Sequence, residues 1–271
     1  MTASASAPVL RIFSYLPNPR VWKALFAARL GGVEIETVGD KPGELGNWLW
    51  DTAPRPLNDD ERNPDGPLAR RSRRGFGGVL YKTDAFLEAH PFGTVPAAFG
   101  GDENVGIFES NSILRAVARS IAEPPLYGTT PIAASRIDSF LDANLVFARE
   151  AQVYLLALQA KTADTSHWER MQSAYEFYLA GIEAQLGRTP YLAGDAVSIA
   201  DLSFVCDLAQ FLREGHYPEY VQETLGKTLV SAAIRSDYPR AVAHMLAFTD
   251  RDICVELKRY LRWWIEATSN N

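Results

Sequence analysis

Cysteine is scarce in this chain: only Cys206 and Cys254, in 271 residues. Both fall in helical patterns, so no disulfide framework is expected and a reducing cytoplasm is the default setting. The four histidines, His90, His167, His216 and His244, are scattered without metal-ligand spacing, so no metal is expected. No apolar run is long enough to span a bilayer, which argues against a membrane helix. An excess of basic residues is also missing. The 27 Lys and Arg against 33 Asp and Glu give a net charge of −6 and a pI near 5.3. A bulk field of that sign argues against nucleic acid as a partner. Residues 1–8 carry neither a basic n-region nor an apolar h-region, so a frayed tail is expected there, not a signal peptide.

What is present is ample for a core. Hydrophobic residues make up 47%, and the length suits one large domain or two small ones. Val9 to Leu16 reads as a strand, rich in β-branched and aromatic residues. Asn18 followed by Pro19 is an N-cap with proline at the first helical position, ahead of a helix over 21–30. Val33 to Val38 alternates as a second strand, so the strand–helix–strand order predicts a parallel pair. Residues 95–99 and 106–109 predict a hairpin whose second strand runs into a helix from Ser110 to Ser120.

Between 39 and 81 lies a long stretch with two apolar clusters, around Trp48–Trp50 and 75–81, and a basic run at 70–74. Loops this long are usually functional or disordered, and the tryptophans predict that part of it packs. Thr83 to Ala89 reads as a short helix before the hairpin. After Glu123 the pattern turns all-helical. Helices are predicted over 131–160 (whole or broken near its middle), 165–186, 199–214, 240–248 and 252–267. Ser198 and Asp201 form a capping-box variant at the start of the 199–214 helix.

The hairpin carries the chemistry. An X-Pro bond held cis at Val95-Pro96 would leave the preceding N–H and C=O facing outward, able to pair with a peptide backbone. Glu109 and Ser110 would stand at a helix N-terminus, where free N–H groups accept a carboxylate. One corner of the fold could then take a small peptide by its main chain and its anionic end.

Gly93-Thr94-Val95-Pro96 followed by Phe108-Glu109-Ser110-Asn111 resembles the glutathione site of the glutathione transferase superfamily. The resemblance covers nearly the whole chain except 39–81. It implies a thioredoxin-like α/β domain over 8–120, carrying the insertion 39–81, and an all-helical domain over 121–271. It implies glutathione as co-substrate, with Val95 and Pro96 pairing its cysteinyl part and Glu109 and Ser110 its γ-glutamyl end. The family often places Lys before Val-Pro. Thr94 stands there, which puts the usual anchor of the glycine carboxylate in doubt, and the 70–74 run is a candidate substitute beside its blander reading as a solvated loop.

The thiolate needs a donor at the first strand–helix turn. No Cys lies there, so a mixed-disulfide route is not expected. Asn18 is favoured, with Ser14 and Tyr15 as alternatives; strand alternation lets at most one of those two face the site. Asn144, Phe147, Arg149 and Tyr154 are candidates to line an electrophile pocket. Residues 108–113 and 136–144 resemble bacterial transferases that cleave β-aryl ethers, which implies an aromatic substrate. Dimerisation, with itself or a related subunit, is implied by kinship. The competing expectation is a non-catalytic subunit of the same fold.

Overall fold

The computed structural model describes residues 8–71, 76–100 and 105–269. Packing divides the chain into two compact units, Met1–Pro124 and Pro125–Asn271. Among the described residues no helix is long and apolar enough to cross a membrane.

The first unit opens with β1 (Arg11–Phe13), α1 (Pro19–Gly31) and β2 (Glu36–Val38). Asn18 caps α1 as predicted: its Oδ1 accepts the Arg20 N–H at 2.9 Å, and Gly32 ends the helix at φ +64°. β1 and β2 pair in parallel. Both are shorter than the sequence suggests, because the pairing continues past β1 only as single bonds from Ser14 N–H to Val38 C=O and Leu16 N–H to Asp40 C=O. Gly39 makes this close approach possible. At φ +139°, a Cβ there would lie 1.8 Å from the Ser14 carbonyl oxygen.

The long stretch that follows folds as a second sheet. β3 (Trp48–Trp50), β4 (Arg55–Pro56), β5 (Ala69–Arg71) and β6 (Val79–Lys82) lie in the order β4-β3-β6-β5. Arg70 and Arg71 of the basic run sit on β5; 72–74 lie outside the described residues. α2 (Asp84–Ala89) leads to β7 (Ala97–Gly100), β8 (Val105–Phe108) and α3 (Ser110–Arg119). The strand expected to begin at Val95 begins at Ala97, because Pro96 has no N–H to give a ladder; the Val95–Pro96 bond is cis. The first sheet has the order β2-β1-β7-β8, the mixed thioredoxin-like arrangement. Its Phe13, Ala97 and Phe99 share one core with Leu45, Trp50 and Leu80 of the second sheet's region and Phe86 of α2.

The second unit is helical: α4 (Pro131–Gln159), α5 (Thr165–Leu186), α6 (Ile199–Phe211), α7 (Pro218–Leu225), α8 (Ile234–Asp237), α9 (Pro239–Thr249) and α10 (Val255–Ser269). α4 runs unbroken. α6 is the hub, with every residue but Gln210 buried. The capping box forms as read: Asp201 accepts the Ser198 N–H at 2.9 Å, and it also holds the Leu192 N–H and the His244 ring. The helix predicted to reach Glu214 ends at Phe211 and tightens into a 3₁₀ turn over Leu212–His216. α7 and α8 were not legible as helices. Both cysteines are buried and neither is in a disulfide.

α4 does not offer the pocket wall expected of Asn144, Phe147 and Tyr154. Asn144, Phe147 and Tyr154 are each 1% exposed. Phe147 stacks on Tyr178 at 4.9 Å and meets Phe211 edge-on at 5.5 Å. α4 packs against both α5 and α6, so these side chains fill the helical core and only Arg149 is exposed.

Candidate functional site

The strand register assembles the site. Phe13 pairs with Ala97, and Ala97 pairs with Phe108, so the three form one row across β1, β7 and β8. The next position beyond that row is Ser14 on β1, Pro96 before β7 and Glu109 after β8. Neighbouring strands are about 4.8 Å apart, so roughly 10 Å of sheet end collects all three. Asn18 joins them, since its Nδ2 donates to Ser14 Oγ at 3.0 Å. Tyr15 points elsewhere: its ring packs edge-on to Phe76 of the long stretch at 6.4 Å.

Val95 is half-buried, and among the described residues neither its N–H nor its C=O has a backbone partner. The loop before it is clamped from two sides. Lys82 Nζ donates to Gly93 C=O at 2.6 Å, and the Thr94 N–H donates to His90 Nε2 at 3.3 Å. Burial pushes the His90 pKa down to about 4, so the ring is neutral and Nε2 can accept. The proton is thereby assigned to Nδ1, which is buried without a partner. The ring lies flat on Phe108, 4.7 Å away.

Lys82 is the cation that the sequence reading missed. It ends β6 and stands 4.4 Å over the Trp50 ring. Burial, and then the charge of Arg70, lower its pKa to about 8. An anion beside it would reverse that shift. Thr94 itself is exposed, with its hydroxyl 3.3 Å from His90.

Glu109 occupies the N-cap of α3 at φ +67°, a conformation that non-glycine residues adopt at a cost. Its exposed side chain does not cap the helix; the Ser112 and Ile113 N–H groups turn to its main-chain carbonyl. The carboxylate is therefore presented outward, next to Ser110. Among the described residues no cluster of three or more His, Cys, Asp and Glu could hold a metal.

Known proteins are similar to this chain in fold and in parts of its sequence. Residues 165–247 match the model of the glutathione S-transferase C-terminal domain. A solved glutathione S-transferase from Methylobacillus flagellatus, with glutathione bound, superposes with a TM-score of 0.60 over 92% of this chain and 98% of its own, at 13% identity. The fold is that of the glutathione S-transferases. Glutathione S-transferase F9 of Arabidopsis thaliana is 35% identical over 131 residues, 45% of this chain and 60% of its own. Elongation factor 1-gamma of Equus caballus is 26% identical over 215 residues, or 78% of this chain. The chain spans about two fifths of that relative's length (40%). These likenesses support a place in the glutathione S-transferase superfamily.

Proposed function

We propose that this chain is a glutathione-dependent transferase. The observation that supports it most is the row at the sheet end, which brings Ser14 with Asn18, Val95-Pro96, and Glu109 with Ser110 to one place. The residues fit the tripeptide. Val95 offers an unpartnered main-chain donor and acceptor, Glu109 an exposed carboxylate for its ammonium, and Ser110 a hydroxyl for its γ-glutamyl carboxylate. Lys82, whose Nζ donates to Gly93 C=O one residue before Thr94, is the cation we assign to the glycine carboxylate. Bound glutathione supplies a thiolate that attacks an electrophilic carbon and displaces a leaving group. Asn18 is the donor we assign to hold that sulfur ionised, with Ser14 and Tyr15 as the alternatives; Asn18 and Ser14 are wholly buried, so either meets the sulfur only if the turn opens as the ligand binds.

For the electrophile we propose an aromatic compound with an aryloxide leaving group, as in a β-aryl ether, on the strength of residues 108–113 and 136–144. We place the protein in the cytoplasm as a dimer. A second reading is favoured by one observation: a relative matched over 78% of this chain is elongation factor 1-gamma. On that reading the chain is a non-catalytic partner subunit.

Calorimetric titration with glutathione tests the first reading. Micromolar to millimolar binding that Glu109→Ala removes supports it, and turnover of an aryl-ether panel then separates enzyme from subunit. No binding to the purified chain rejects it.

A further inference from the structure

Lys23 is buried in α1 with 1% of its surface exposed, between Trp22 and Ala24, which are buried too. An apolar side chain would fill this position without electrostatic cost, whereas an ammonium taken out of water is costly unless hydrogen-bonded. Its Nζ crosses to the first turn of α3. It donates to Asn111 Oδ1 at 2.9 Å and to Ser110 Oγ at 3.3 Å.

Lysine has only donors, so Ser110 Oγ is the acceptor in this contact. The hydroxyl keeps its own hydrogen for another atom, and among the described residues no acceptor takes it. The Lys23 Nζ thus stands beneath a helix N-terminus, where N–H groups lack intrahelical acceptors and the helix dipole is positive. One residue earlier, Glu109 carries the opposite charge, exposed. A hydroxyl donor backed by a cation, with a carboxylate next to it, complements an α-amino acid head group, which bears one charge of each sign.

We infer that Lys23 is a positioning residue for the γ-glutamyl end of glutathione: it fixes the Ser110 hydroxyl as a donor to the ligand's α-carboxylate. This rests on the glutathione reading above. It adds a residue from α1 that touches no ligand atom and acts through Ser110.

The test is calorimetry of wild type, Lys23→Met, Ser110→Ala and the double variant. The ligands are glutathione and its analogue with the γ-glutamyl α-carboxylate converted to an amide. Losing a charge-supported hydrogen bond should weaken glutathione binding about tenfold or more in Lys23→Met. The amide should be weakened much less, so the preference for glutathione over the amide collapses. The double variant should be little weaker than Ser110→Ala alone. A folded Lys23→Met protein that keeps the preference, or weakens both ligands equally, overturns the inference. Should that variant fail to fold, Lys23→Gln replaces it, keeping a donor for Asn111 without the charge, and it must lose the same preference. Absence of glutathione binding to the wild type overturns the functional reading along with this one; wild-type binding that the Lys23 variants leave intact overturns this one alone.

Discussion

Asn18 Nδ2 donates to Ser14 Oγ at 3.0 Å, and both side chains are wholly buried. The amide's other end accepts the Arg20 N–H, so Asn18 joins the helix cap to the strand end. Its two roles separate by experiment. Asn18→Ala should cost about 1 kcal/mol of stability in urea unfolding, the usual loss for a removed cap. Under the proposed function it should lower turnover far more than glutathione affinity. Turnover losses in Asn18→Ala and Ser14→Ala should not add, since the side chains touch. Full turnover in Asn18→Ala together with a dead Tyr15→Phe would move the sulfur donor to Tyr15.

Lys82 gives the proposed site a pH signature. Its pKa is lowered to about 8, so its charge fades as pH rises through that value. Affinity for an anionic peptide should fall between about pH 7 and 8.5, the window set by that shift. S-methylglutathione is the suitable probe, because it has no thiol to titrate. Lys82→Arg should bind with no such fall, because guanidinium stays charged. A flat wild-type profile would detach Lys82 from the site.

Glu214 makes the helical unit sensitive to pH in the opposite sense from a salt-bridged carboxylate. It is fully buried and accepts the Val230 and Ser231 N–H groups. Burial outweighs those bonds and raises its pKa from 4.5 to about 7. A raised carboxylate pKa means that ionisation opposes folding. Stability from this group is present below about pH 4.5 and is lost as pH rises towards 7, on the order of 3 kcal/mol in all. Glu214→Gln should remove that component, so the difference in melting temperature between variant and wild type should widen from pH 5 to pH 8. A constant difference would contradict it.

Phe147→Ala should act as a core deletion, costing about 3–5 kcal/mol with no change in substrate preference in whatever folds. Guanidinium unfolding measures the first and competition between two electrophiles the second. A stable variant with altered preference would return Phe147 to the pocket wall.

Local rules with fixed spacing were readable directly. Asn18-Pro19 and Ser198-x-x-Asp201 announce helix starts because a side chain three positions or fewer away satisfies the cap. The second sheet was not readable. Its strands are two to four residues long, too short to show alternation, and β3 finds its parallel partner β6 about thirty residues later. Lys82 and Lys23 escaped for the same reason. A lysine beside a capped helix reads as solvated, and a lysine inside an apolar helix reads as that helix's wet edge; only the fold shows one over Trp50 and the other under Ser110. The pocket residues on α4 were misplaced because aromatic spacing on a helix describes a face without saying what covers it.

Trp50 belongs to the stretch that looks most like an afterthought in the sequence, yet it touches Phe13, Phe76 and Phe86 with ring centroids 5.3 to 5.8 Å away. Cutting residues 40–82 back to a short connector would therefore not yield a trimmed version of the same molecule. It would bare Phe13, Phe86 and Phe99 together, a sticky aromatic patch on one side of the remaining sheet. For anyone engineering this scaffold, the segment is a wall of the house and not an extension.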